Sequence, residues 1–295
     1  MGWSAHLKMT AAAGLAVVLA ACQTAQPPSV ASPAPSGAAV QSASLPVVSY
    51  APATAVERGY SALVVNAATG EELYAVDADA ARYPASLTKM MTLYLLFEAV
   101  SEGRYSLSSP LTVSANAASQ PPAKLGLKAG STITVEQAAR ALAVKSANDV
   151  AVTIAENLAG SEAVFARQMT QQARAMGLSR TRFVNATGLP DPVQVTTARD
   201  MATLGRALKR RFPQYASYYR AKSVSYDGRT FRATNNLLGK VPGVDGLKTG
   251  YIRMSGYNLV ATANRGGKRL VVVVIGGKSE AARDREVTRL IKAYF

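Results

Sequence analysis

The sequence predicts an α+β fold, an antiparallel sheet flanked by helices with an all-helical lobe inserted in it. Three observations lead there: strand-like apolar runs stand at both ends of the folded region, helical periodicity fills its middle, and an amphipathic stretch closes the chain. The first strands are expected at 60–66 and 72–77, around Ala67-Ala68-Thr69-Gly70 as a hairpin turn. After Pro84 the period lengthens, with Met, Leu, Tyr and Phe recurring at helical spacing over 87–102 until Gly103 stops it. Ser86 therefore stands at a helix start. Helices over 135–144 and 149–158 are separated by the polar break Ser146-Ala147-Asn148, and another over 161–176 ends at Gly177. Strands return at 223–226 and 230–233 around Asp227-Gly228, and at 258–263 and 269–275 around Arg265-Gly266-Gly267-Lys268. The stretch 281–295 reads as a terminal amphipathic helix.

The folded region is expected to begin near Val56. Ahead of it, Lys8 and the apolar run 9–21 have the form of an export signal, too short to span a bilayer comfortably. Residues 23–54 are rich in Ala, Pro and Ser and carry no charge, so they cannot bury enough apolar surface to order themselves. The expected organisation is a leader at 1–21, a tether at 22–55 and one domain at 56–295. Leu19-Ala20-Ala21-Cys22 resembles the lipobox of bacterial lipoproteins, which implies a lipid on Cys22. The protein would then be exported and membrane-anchored, facing the periplasm or cell wall. Cys22 is also the only cysteine, so no intramolecular disulfide can form.

Loss of the leader would remove His6, the only histidine. Without it, Ser-His-Asp and Cys-His hydrolases and His-ligated metal sites are excluded, and with Cys22 at the lipid there is no thiol nucleophile. Hydrolytic chemistry must then draw on Ser, Thr, Lys, Asp, Glu or Tyr. The net charge of +15, or +14 once Lys8 is gone, would ordinarily point to nucleic acid. An exported chain meets little of it, and 7% aromatic content offers no obvious stacking platform, so nucleic acid is not expected as a partner. Anionic envelope polymers or lipid head groups, or a merely solvated basic surface, are the readings left.

Ser86-Leu87-Thr88-Lys89 is the only Ser-x-x-Lys in the chain. Residues three apart share a helical face, so the lysine amine can approach the hydroxyl and, if uncharged, take its proton. An ordinary lysine, with a pKa of about 10.4, is charged near neutrality, and lowering it by roughly three units requires about 4 kcal/mol of burial and like-charge repulsion. The motif thus predicts a second cation in the site. Lys248-Thr249-Gly250, which occurs once and suits the opening of a strand, supplies one. Lys and Thr can hold a carboxylate there, and Gly lets a ligand approach the backbone. Ser-x-Asn occurs at Ser114-Ala115-Asn116 and at Ser146-Ala147-Asn148. The first reads as loop or cap. The second, in a helical break, can place Ser146 and Asn148 in a cleft, or they can cap the two helices mutually.

Taken in order, these three motifs resemble those of the penicillin-recognising serine enzymes. The segments around them, Tyr83 to Thr92, Phe183 to Pro190, Asp245 to Gly250 and Ser255 to Val260, resemble the low-molecular-mass D-alanyl-D-alanine carboxypeptidases, over roughly 56–295. The resemblance implies the β-lactamase or transpeptidase-like fold and hydrolysis of stem peptides ending in D-Ala-D-Ala, with β-lactams as covalent inhibitors and no cofactor. It implies that Ser86 is acylated, Lys89 is its base and Ser146 relays a proton to the leaving amine. Asn148, Lys248 and Thr249 would bind substrate, Gly250 would allow its approach, and the amides of Ser86 and Tyr251 would hold the oxyanion. Lys278 stands where relatives often have Arg; it either helps bind the carboxylate or is a solvated strand-end residue. Many relatives continue into a β-rich domain and a membrane anchor, and here Cys22 would take over the anchoring. A β-lactamase would need a Glu in 185–200 to activate water, and none is present. A D,D-endopeptidase on the same machinery and a non-catalytic wall-binding lipoprotein are the remaining alternatives.

Overall fold

Alternating burial along the strands builds the sheet, and each face of it receives a separate core. The computed structural model describes residues 56–295; the expected leader, Cys22 and the tether lie outside the described residues. Strand β1 (Ser61–Asn66) turns into β2 (Glu72–Val76) as the hairpin pattern predicts. A 3-10 turn (Ala85–Thr88) then leads into helix α1 (Lys89–Ser101). There follow β3 (Pro110–Thr112), α2 (Ala115–Ser119), β4 (Thr132–Thr134), α3 (Val135–Lys145), α4 (Asn148–Ala159) and α5 (Glu162–Ala175). Helices α6 (Ala198–Arg211) and α7 (Ala216–Arg220), ribbon strands β5 (Ser223–Tyr226) and β6 (Arg229–Arg232), and the long strands β7 (Val244–Ile252), β8 (Gly256–Arg265) and β9 (Lys268–Gly277) precede the terminal helix α8 (Glu280–Tyr294).

The sheet runs β2-β1-β9-β8-β7 with every neighbouring pair antiparallel. Ala62, Val64, Leu259, Ala261, Leu270, Val272 and Val274 pack with Val287, Leu290 and Ile291 of α8. The alternate residues Leu63, Val65, Val260, Val271, Val273 and Ile275 join the larger core with α1 and α6. Two covered faces explain why β8 and β9 read as continuous apolar runs. β7 stays at the edge, which leaves one side of that strand open to a ligand.

Helix α1 is the axis of the larger core. Residues 89–97 are all buried, as expected of a helix surrounded by protein on every side. Phe97 stacks on Tyr215 with ring centroids 4.1 Å apart and also meets Phe212. That packing fixes the helix whose first residue is Lys89.

Three expectations are corrected. The lobe inserted between β2 and β7 is not purely helical: besides the expected ribbon β5–β6 it carries the ribbon β3–β4, whose three-residue strands give little periodic signal. Lys248-Thr249-Gly250 does not open a strand but sits mid-way along β7, because Val244 and Leu247 already pair with Ala263 and Ala261 of β8. Ser86 lies in a 3-10 turn, one turn short of the α-helix proper.

One buried acid shapes the wall facing that turn. Asp149 accepts from the backbone amides of Leu125, Gly126 and Leu127 at 3.0, 2.8 and 3.0 Å and is wholly buried. It fixes the segment that continues from Pro122 and Ala123, both on the rim of the cleft.

Candidate active site

The turn carrying Ser86 is held from three directions. Ala85 is left-handed, with φ 50°, a backbone conformation of the kind that concentrates at functional sites. Behind it, Asn258 of β8 donates to Tyr83 O and Pro84 O at 3.1 and 3.2 Å while accepting from Gly276 N at 3.0 Å. Gly188, with φ 80°, passes so close that a Cβ there would lie 1.9 Å from Ala85 O. A Cβ on Gly250 would come within 3.1 Å of both Pro84 O and Ser86 N, so the bare backbone of β7 approaches the Ser86 turn directly.

Lys89 is completely buried beneath this turn. Its Nζ lies 3.0 Å from Ser86 Oγ, donates to Asn148 Oδ1 at 2.8 Å and donates to the carbonyl oxygen of Thr187. An amine without its extra proton has two N–H donors and one lone pair. Two of its three neighbours are carbonyl oxygens that can only accept, so they take the two protons and the lone pair is left facing the Ser86 hydroxyl. Burial depresses the Lys89 pKa well below the lysine range, and the Lys248 charge lowers it further, against the opposing fields of Glu162 and Asp149.

The helical break brings Ser146 and Asn148 to the cleft without mutual capping. Ser146 ends α3 in the left-handed region, with φ 63°, and Ala147 begins α4 with no side-chain cap. Neither polar side chain is thereby taken up in capping. Asn148 seats Lys89 and donates from Nδ2 to Pro121 O at 2.9 Å. Ser146 Oγ is buried and has no hydrogen-bond partner among the described residues, an unusual state for a buried hydroxyl. The other Ser-x-Asn is structural: Ser114 caps α2 by accepting from Ala117 N at 2.9 Å.

On β7, Lys248 is 1% exposed and donates to Thr249 O at 2.8 Å. Its pKa is brought down to about 7 by burial and then by Arg283. Thr249 Oγ1 donates to Thr234 Oγ1 at 2.7 Å. Ser86, Ser146, Asn148, Thr249, Gly250 and Tyr251 line one cleft of about 450 Å³, a size ordinary for a small-molecule site.

Lys278 is not brought in. It is exposed just beyond the end of β9 and does not line the cleft. Arg283, one turn into α8, does line it, is 3% exposed, and is braced by Asp284 at 2.7 Å and by Asn258 O at 3.4 Å. Sequence reasoning missed this arginine because 281–295 reads as a plain amphipathic helix; the signal available was a cation in its first turns. Lys89 and Lys248 are buried and do not themselves line the cleft; a serine hydroxyl, the buried amine beside it and the cleft cation Arg283 can together support attack on an acyl group that lies next to a carboxylate.

A family model described as D-alanyl-D-alanine carboxypeptidase matches residues 49–279. The chain belongs to the D-alanyl-D-alanine carboxypeptidase family. It is 34% identical over 242 residues to D-alanyl-D-alanine carboxypeptidase DacF of Bacillus subtilis, covering 80% of this chain and 61% of that protein. It is 36% identical over 238 residues to D-alanyl-D-alanine carboxypeptidase DacA of Escherichia coli, covering 78% and 59%. The chain thus spans about three fifths of the length of these members. Penicillin-binding protein 5 from Haemophilus influenzae superposes with a TM-score of 0.77 at 31% identity, over 83% of this chain and 72% of that one. Penicillin-binding protein D2 from Listeria monocytogenes in its ampicillin-bound form gives 0.68 at 34% identity, over 79% and 95%. Membership of the D-alanyl-D-alanine carboxypeptidase family and the α+β fold both agree with the sequence reading.

Proposed function

We propose that this chain is a serine-type D-alanyl-D-alanine carboxypeptidase that removes the terminal D-Ala from peptidoglycan stem peptides through an acyl-enzyme on Ser86. The observation that carries the reading is the seat of Lys89: a buried amine 3.0 Å from Ser86 Oγ with its other two contacts on obligate acceptors. Ser86 attacks the carbonyl of the penultimate D-Ala and Lys89 takes the hydroxyl proton. The oxyanion sits between the amides of Ser86 and Tyr251. Ser146, whose hydroxyl has no other partner among the described residues, relays to the leaving amine the proton that Lys89 has taken. Lys248, Thr249 and Arg283 grip the terminal carboxylate, and Asn148 holds the substrate backbone. Water then hydrolyses the ester.

The same chemistry makes β-lactams covalent inhibitors. Both acids in 185–200 are engaged in local bonds, Asp191 with Val193 N and Asp200 with Arg180 N and Thr181 Oγ1. That favours a long-lived adduct over rapid turnover. For location we propose export and a lipid on Cys22, supported by the apolar run ending in Leu19-Ala20-Ala21-Cys22. Among the described residues no helix is long and apolar enough to cross a membrane.

Wild-type protein is expected to release D-Ala from a pentapeptide ending in D-Ala-D-Ala and to gain the mass of one penicillin, while Ser86→Ala does neither. An unmodified, folded wild-type protein would refute the reading. Because Lys89 must be uncharged and Lys248 charged, kcat/KM should rise with pH through the depressed Lys89 pKa and fall again above about 7, where Lys248 loses its proton. Lys248→Arg, which stays charged, should abolish the alkaline fall. Cys22→Ser should move the protein from the membrane to the soluble fraction; an unchanged membrane-bound share would exclude the lipid.

A further inference from the structure

A half-buried carboxylate outside all three motifs supports the backbone that seats Lys89. Glu162, in the first turn of α5, accepts from Ala186 N at 2.9 Å. The same short segment is bonded at its next groups as well. Ala186 O accepts from Thr92 Oγ1 at 2.8 Å, and the carbonyl of Thr187 accepts from Lys89. Thr92 is three residues beyond Lys89, so α1 grips consecutive carbonyls from one face. Gly188, next in line, presses on Ala85 O beside the nucleophile. Segment 186–188 is therefore pinned between α1, the Ser86 turn and Glu162. The contacts from α1 and the Ser86 turn come from the elements that carry the reacting residues, and Asn185 Oδ1 accepts from Thr187 N and Gly188 N within the loop itself, whereas Glu162 holds the segment with a carboxylate from α5.

We propose that Glu162 is a positioning residue for acylation: it holds the Ala186–Gly188 backbone at the height at which Thr187 O and the Ser86 turn trap the Lys89 amine in line with the serine hydroxyl. This rests on Lys89 acting as the base for Ser86. Glu162 does not touch substrate in this arrangement and acts through the loop.

Its charge gives a second effect that can be separated from the first. The groups facing Lys89 are Lys248 from β7, Asp149 from α4 and Glu162 from α5, together with Ser86, Asn148 and the Thr187 carbonyl. Glu162 itself faces Glu156 of α4 as well as Lys89, and burial holds its carboxyl above the ordinary range. An ionised Glu162 favours the charged lysine, so it opposes deprotonation of the base while fixing its position. The two substitutions that remove these roles differ. Glu162→Gln retains an oxygen acceptor for Ala186 N and loses the charge; Glu162→Ala loses both.

The test measures the rate of acylation by benzylpenicillin across pH for wild type, Glu162→Gln and Glu162→Ala, beside amide hydrogen exchange at Ala186 and Thr187. Glu162→Ala is expected to slow acylation by about tenfold to a hundredfold, as small misplacements of reacting groups do, and to speed exchange at Ala186. Glu162→Gln is expected to stay within about threefold of wild type on the plateau. Its acid limb should move to lower pH, because the amine loses its proton more readily without the neighbouring charge. Full-rate acylation by Glu162→Ala, unchanged protection of Ala186 in that variant, or an unmoved acid limb in Glu162→Gln would overturn the proposal. If wild type itself is not acylated, the function reading fails, and the exchange arm still decides whether Glu162 holds the segment.

Discussion

The amine of Lys89 is the group on which this architecture turns. A lysine taken wholly out of water is unstable as a lone cation, and the surroundings here make that instability useful. A second buried lysine stands on the adjacent strand and its field opposes the proton further. The carbonyl oxygens of Asn148 and Thr187 satisfy both N–H groups of the neutral amine, leaving its lone pair no strong partner except the serine hydroxyl. Burial and like charge, rather than a histidine, make this amine available as a base.

Each layer of the fold supplies one part of that seat. The aromatic packing around Phe97 fixes α1, so the rotamer of Lys89 is set by a rigid helix. The break between α3 and α4 costs a left-handed Ser146 but frees Asn148 to reach across to α1. The edge position of β7 brings Lys248 beside the amine while leaving backbone open for a substrate. Asn258, reaching from β8 to the carbonyls of Tyr83 and Pro84, ties the sheet to the Ser86 turn. Sheet and helical lobe are thus joined at the one place where their relative position decides reactivity.

Much of this is legible in the sequence because it depends on local spacing. Ser86 and Lys89 meet through a three-residue interval, and Ser146-Ala147-Asn148 interrupts helical periodicity visibly. The sheet follows from apolar runs flanking turns that contain Gly. What escaped depends on tertiary contact. Helix α6 has no counterpart in the sequence expectations, and Gly205 in its middle shows why. A Cβ there would meet Val260 and Leu247 of the sheet at 3.1 and 3.2 Å, so glycine marks close packing where it reads as a break. Arg283 escaped because its approach to the cleft depends on how α8 docks on β8 and β9. Lys278 attracted notice by standing where relatives often have Arg, but it lies exposed beyond β9 and does not line the cleft. Glu162 carries no motif at all; only the fold of 183–190 against α5 gives it a purpose.

The protonation state of Lys89 in the resting protein is the quantity to measure. Selective 15N labelling of lysine, with Lys89 assigned by loss of its signal in Lys89→Met, would allow its titration to be followed directly by NMR. The account predicts that Lys89 gives up its proton far below the ordinary lysine value of about 10.4. Titration in the ordinary lysine range, with the amine charged throughout neutral pH, would contradict it.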